Sequence, residues 1–193
     1  MADVLIPFTR EWRAERDRGR RAAAFVDAVR REPDDADVSW LAVSAANGDL
    51  DHARWELRYA RWALAVLSSQ RDALNDRTGS EVLGALLRAV RDDSRVEPGM
   101  RALAEHQLND RLSAYREALT VRGGSAGSGE RLGRVLLAFA SDGARSAGAP
   151  LPRAVEVLSA YLAEANEALR NTYGAASLPE HLPPSEVAAQ RHG

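Results

Sequence analysis

The stretch from Leu50 to Leu74 constrains the fold more than any other, because it is helical in pattern and apolar on more than one side. Leu50, Leu57, Ala60, Leu64, Leu67 and Leu74 recur at helical spacing and form one stripe, while Trp55, Tyr59, Trp62 and Val66 form a second. Residues three and four apart share a face of a helix, so the two stripes together cover most of its girth. A helix with one apolar stripe can lie on a surface. One that is apolar over most of its circumference has to be covered from several directions. The pattern therefore predicts a long helix over about 51–76 at the centre of an all-α bundle.

The breaks on either side predict the rest of about six or seven helices, in one domain over residues 1–174. A first helix, Thr9 to Arg31, carries Ala22, Phe25, Val26 and Val29 inward and is stopped by Pro33. A second runs from Ala36 to Ala46 and is closed by Asn47-Gly48, after which Asp49 or Asp51 caps the central helix. Thr78-x-x-Glu81 has the form of a capping box and predicts the start of a fourth helix, ending near Asp92. Pro98 suits the first turn of a fifth, to Val121, with Met100, Leu103, Leu108, Leu112, Tyr115 and Leu119 facing in. A sixth covers Glu130–Ala140. A seventh opens at Pro152 and runs to Asn171, with Val155, Leu158, Leu162 and Leu169 inward. Residues 175–193 carry three prolines and few large apolar groups, the composition of a tail that lies on the surface or stays mobile. No segment has the strict alternation of a half-buried strand.

Composition narrows the classes of function. The 193 residues include no cysteine, which excludes disulfides, thiolate metal sites and cysteine nucleophiles. All 26 basic residues are Arg, and the formal charge is −2, so no general attraction to nucleic acid or an anionic membrane is expected. The longest strictly apolar runs, Trp62–Leu67 and Val135–Ala140, are far shorter than a membrane span. Residues 1–12, MADVLIPFTREW, lack the basic and long apolar regions of a signal peptide, and the expected location is cytoplasmic. Residues 10–31 hold eight Arg against Glu11, Glu15, Asp17 and Asp27. The acids are interleaved with the arginines, which predicts ion pairs and a solvated face rather than a nucleic-acid surface.

Several short patterns carry potential chemistry. Gly48-Asp49-Leu50-Asp51-His52-Ala53, with Leu57 and Ala60, resembles the turn and second helix of a tetratricopeptide repeat over Ser39–Leu64. That resemblance implies a peptide-binding groove, but no second copy occurs at the repeat's period of about 34 residues, and a single helix–turn–helix accounts for the pattern. Asn109-Asp110-x-x-Ser113-x-x-x-Glu117 is similar to the magnesium-binding motif of class I terpene synthases. The likeness implies that Asn109, Ser113 and Glu117 would hold Mg²⁺ and a diphosphate. The upstream aspartates, Asp34, Asp35 and Asp37, lie too close in sequence to complete such a site, and a solvated polar face explains the three residues equally. Gly124 to Gly129 has the glycine spacing of a phosphate loop, yet Glu130 stands where the phosphate-binding Lys would be.

The remaining candidates are polar groups on the apolar helices. His52 and Glu56 share a face at i, i+4, as do His106 and Asp110, and two such pairs on neighbouring helices could hold a metal. The Glu-x-x-His spacing of di-iron bundles is missing, so neither metal nor cofactor is expected. Glu56 projects with Tyr59 and Ala63 from the most apolar part of the chain, where a carboxylate requires an arginine partner. The preferred expectation is a non-enzymatic interaction or scaffold module whose partner is another protein or a second copy. Its rival is a ligand- or metal-binding protein or enzyme with a polar pocket near His52, Glu56, Tyr59 and His106.

Overall fold

A computed structural model describes residues 9–72, 76–121, 127–141 and 151–174. Leu74, residues 122–126 of the glycine-rich loop, and the tail from residue 175 lie outside these. Among the described residues there are seven α-helices and no strand: α1 (Arg10–Val29), α2 (Asp35–Ser44), α3 (Leu50–Asp72), α4 (Asp76–Arg91), α5 (Arg101–Thr120), α6 (Ser128–Ala140) and α7 (Leu151–Tyr173). The all-α single-domain bundle expected from the sequence is the observed architecture. No helix is long and apolar enough to cross a membrane, among the described residues.

The helix ends follow local chemistry. Thr9 Oγ1 accepts from the Trp12 amide at 3.2 Å and starts α1. The Asp34 carboxylate accepts from the Ala36 amide at 2.7 Å to start α2, and Asp49 accepts from the His52 amide at 2.9 Å to start α3. Between α2 and α3 the backbone passes through the left-handed region twice, at Asn47 (φ 51°) and Gly48 (φ 86°). There the Gly48 amide donates to the Ala42 carbonyl at 2.8 Å. Two consecutive positive φ values favour Asn followed by Gly. Pro98 opens a 3₁₀ turn, Pro98–Met100, that runs directly into α5.

α3 is the hub. It touches each of the six other helices, and from Leu57 to Ser69 every side chain is buried. Phe25 of α1, Leu41 of α2, Leu86 of α4, Leu108 and Tyr115 of α5, Leu136 of α6 and Leu158 of α7 are fully buried with it. α1 and α4 run in the same direction. Arg18 reaches Glu81 at 3.2 Å and Arg30 reaches Asp93 at 3.0 Å, both at a sequence separation of 63. A constant offset at both ends of a pair means parallel chains in register.

Three sequence-level expectations are corrected. The fourth helix starts at Asp76 rather than at Thr78, so Thr78 and Glu81 lie inside it and form no capping box. Glu81 turns instead to Arg18 of α1 and Arg77 of its own helix. Gly79 is part of this helix because α4 passes very close to α3 there. A Cβ on Gly79 would stand 3.0 Å from Gln70 Cγ and 3.4 Å from its Cα. Leu50, placed in the buried stripe, is 51 % exposed, since it begins α3 ahead of the packed turns. Met100 and Leu103, expected inward, are 48 % and 44 % exposed.

If α3 and α5 are packed as described, Leu64→Ala or Leu108→Ala should each lower unfolding free energy by about 2–5 kcal/mol in urea titrations. A loss below about 1 kcal/mol at both sites would contradict the packing.

Candidate functional site

Two polar-apolar stripes face each other across the α3–α5 groove. His52, Trp55, Glu56 and Tyr59 lie along one side of α3, and Met100, Leu103, Ala104 and Gln107 along one side of the α5 entrance. Both sets follow the helical i, i+3, i+4, i+7 spacing. With Arg95, Val96 and Glu97 of the α4–α5 connection they line a pocket of about 290 Å³. Met100 and Leu103 belong to this pocket, which is why they escape the core.

The floor is a buried ion pair. Glu56 is 3 % exposed. Its Oε2 accepts from Arg111 Nε at 3.1 Å and its Oε1 from Arg111 Nη2 at 2.5 Å, a two-point grip. Arg111 also donates through Nη1 to the Gln107 carbonyl at 3.4 Å. Its guanidinium lies 4.3 Å from the centre of the Phe139 ring and 5.3 Å from that of Tyr59. Charge-assisted, bidentate and stacked contacts of this kind compensate the loss of water around both charges. The Tyr59 hydroxyl donates to Gln107 Oε1 at 3.0 Å. Burial pushes the Tyr59 phenol up to about 12, the positive charge of Arg111 opposing that rise and the negative charge of Glu56 adding to it. The Trp55, Tyr59 and Trp62 rings form a continuous cluster, with centroids 5.6 to 6.4 Å apart.

A second charged network adjoins the pocket. Buried Asp93 accepts from Arg95 Nε at 2.8 Å and from Arg30 Nη2 at 3.0 Å. Arg95 also pairs with Glu32, and Arg58 holds the same Glu32 from α3. Arg58 stacks over Trp55 at 4.6 Å. Arg61 donates to the Arg31 and Glu32 carbonyls at 2.9 and 3.2 Å and stacks over Tyr161 at 4.1 Å. Burial lowers the Arg58 and Arg95 pKa values, the direction expected when a cation is taken from water. The guanidinium of Arg95, although at the pocket, donates to Asp93 and Glu32.

The structure brings together His52, Glu56 and Tyr59, three of the four residues expected at a polar pocket. His106 is not among its lining: its side chain is 72 % exposed and lies 3.4 Å from Asp110 on the outer face of α5. The proposed His52, Glu56, His106 and Asp110 metal set therefore does not converge. His52 Nε2 is 3.3 Å from the Phe139 carbonyl, and Glu56 is held by Arg111. No three acidic or histidine side chains form a metal-binding group among the described residues. Asn109, Ser113 and Glu117 are all exposed, while Asp34 caps α2 and Asp35 and Asp37 pair with Arg54 and Arg153. Glu15 and Asp17 pair with Arg18 and Arg20 within α1. No protein-family model, curated protein or solved structure matches the chain.

Two measurements check this geometry. Glu56→Gln and Arg111→Met should each cost about 3–5 kcal/mol, because each strands a buried group. The double variant Glu56→Leu/Arg111→Met should cost much less than the sum in the same urea titration; simple additivity would mean that the pair is not coupled. The second concerns the phenols. Burial raises the pKa of all four tyrosines, Tyr59, Tyr115, Tyr161 and Tyr173. An unfolded chain releases phenolic protons near pH 10 that the folded chain still holds, so stability is intact below that pH and falls as the pH rises from 10 towards 12. Phenolate absorbance and loss of helical circular dichroism should then appear in one transition. Titration near pH 10 with the helices intact would contradict the burial.

Proposed function

We propose that the chain is a binding protein that works by contact rather than catalysis, with the α3–α5 pocket as its recognition site. The observation that carries this reading is the state of Glu56. Both of its oxygens are held by Arg111, so the pocket's buried carboxylate is poorly placed to serve as a general base or nucleophile. What faces the ligand is apolar and aromatic surface around a few fixed polar groups, the usual make-up of a recognition pocket. At about 290 Å³ it stands at the small end of such sites, which run from about 300 to 1,000 Å³. It is the size for one small molecule or one side chain of a partner protein. Exposed Met100 and Leu103 supply the adaptable rim that a partner can press against. The absence of cysteine agrees with work in a reducing compartment such as the cytoplasm.

The test is fluorine NMR on protein grown with 5-fluorotryptophan. The four tryptophans give four signals, and Trp55→Phe assigns the one at the pocket. In a screen of small apolar and arylalkyl compounds, the Trp55 signal should shift saturably with the hits while the Trp62 signal moves less. Leu103→Asp should abolish the response. A Trp55 signal that no compound moves, or hits indifferent to Leu103→Asp, would remove the pocket as the recognition site.

A further inference from the structure

Trp55 and Arg95 belong to different elements of the pocket's lining, yet both are held from outside it by one carboxylate. We infer that Glu32, which lines no part of the pocket, is its positioning residue, tying the α3 wall to the α4–α5 connection, a role that rests on the pocket being the recognition site. Glu32 Oε2 accepts from Arg58 Nε at 3.1 Å and from Arg58 Nη2 at 2.5 Å, and Arg58 lies over the Trp55 ring at 4.6 Å. Glu32 Oε1 accepts from Arg95 Nη1. Each oxygen thus serves a different wall.

The bridge is more than a loose surface pair. The Arg58 side chain is only 8 % exposed, so water is a poor substitute for its partner. The Glu32 backbone is itself fixed. Its carbonyl and that of Arg31 accept from Arg61 Nη1, a buried side chain of α3. Pro33, also buried, restricts the residue before it to extended conformations. Without the Glu32 charge, the Arg58 and Arg95 guanidiniums would converge on one place as like charges. Asp93 would still hold Arg95 through Nε and Nη2, so the connection would loosen rather than come free.

The experiment places Glu32→Gln and Glu32→Asp in the full chain labelled with 5-fluorotryptophan, read first without ligand. It is then repeated with 2-phenylethanol and the tightest hit of the screen. Helical circular dichroism and the Trp62 signal should stay as in the wild type. In the free protein Glu32→Gln should shift or broaden the Trp55 signal. It should also speed hydrogen exchange at the Val96 amide, which donates to the Asp93 carbonyl at 3.1 Å, while amides within α3 keep their rates. Affinity for the bound probes should fall about threefold to tenfold, as when a charge-assisted bond away from the ligand is weakened. Glu32→Asp keeps the charge but withdraws it by one methylene. A bridge needs reach, so affinity should fall here too, and full rescue by Asp would overturn the role. A lower urea midpoint with the Trp55 signal and the Val96 rate unchanged would reduce Glu32 to a structural pair. Unchanged affinity for compounds that the wild type binds would also overturn the inference, while the recognition site stands. If no compound moves Trp55 in the wild type but Glu32→Gln changes both free-state readouts, the bridge stands and the recognition site fails.

Discussion

Taking a helix out of water on every side satisfies its backbone but leaves its polar side chains without solvent, and most of this structure answers that problem for α3. The apolar residues of α3 gather the other helices, while Glu56, Arg58 and Arg61 decide how those helices are held. Glu56 requires Arg111 and so fixes α5. Arg58 and Arg61 require Glu32 and the carbonyls of Arg31 and Glu32, and so pin the chain between α1 and α2. Arg61 also reaches Glu164 of α7. Hydrophobic burial is non-directional. The directional contacts made by the few charges on the hub supply what burial cannot, a particular register for each neighbour.

The fold was legible in the sequence because its main signals are periodic and strong. The double stripe of α3, the Pro33 and Asn47-Gly48 breaks and the Pro98 start all read directly onto the observed helices. The misreadings share one cause. Thr78-x-x-Glu81 has the residues of a cap, but Glu81 finds Arg18 on α1, and Gly79 serves a close approach to Gln70 rather than a turn. Met100 and Leu103 fit the inward stripe of α5 by spacing alone. Whether a stripe faces a neighbouring helix or a gap between helices depends on where the neighbour stops, and one helix's pattern holds no such information.

The candidate site was half legible for the same reason. His52, Glu56 and Tyr59 lie on one helix and their common face follows from spacing. That Glu56 would need an arginine followed from charge burial. Which of 26 arginines would answer did not, since Arg111 lies 55 residues away and is joined to it by a tertiary contact. His106 was expected at the pocket because His106 and Asp110 repeat on another helix the i, i+4 pairing of His52 and Glu56, yet adjacent positions on a helix point about 100° apart. Gln107, one residue on, occupies the place inside. A scan of α5 for a second stripe, offset from the core and containing polar residues opposite Glu56, is the signal that would have found it.

The parallel alignment of α1 with α4 shapes how the molecule is made. Antiparallel neighbours joined by a short turn can dock as soon as both are synthesised, but α1 meets its partner across an offset of 63 residues. At ribosomal rates of about 5–20 residues per second, its apolar face with Phe25 and Val26 waits on the order of several seconds before Asp93 emerges to receive Arg30. Late in that interval α3 is completed at Asp72, and its apolar surface is one on which α1 can rest. The first helix made thus reaches its parallel partner only after the second and third have been synthesised between them.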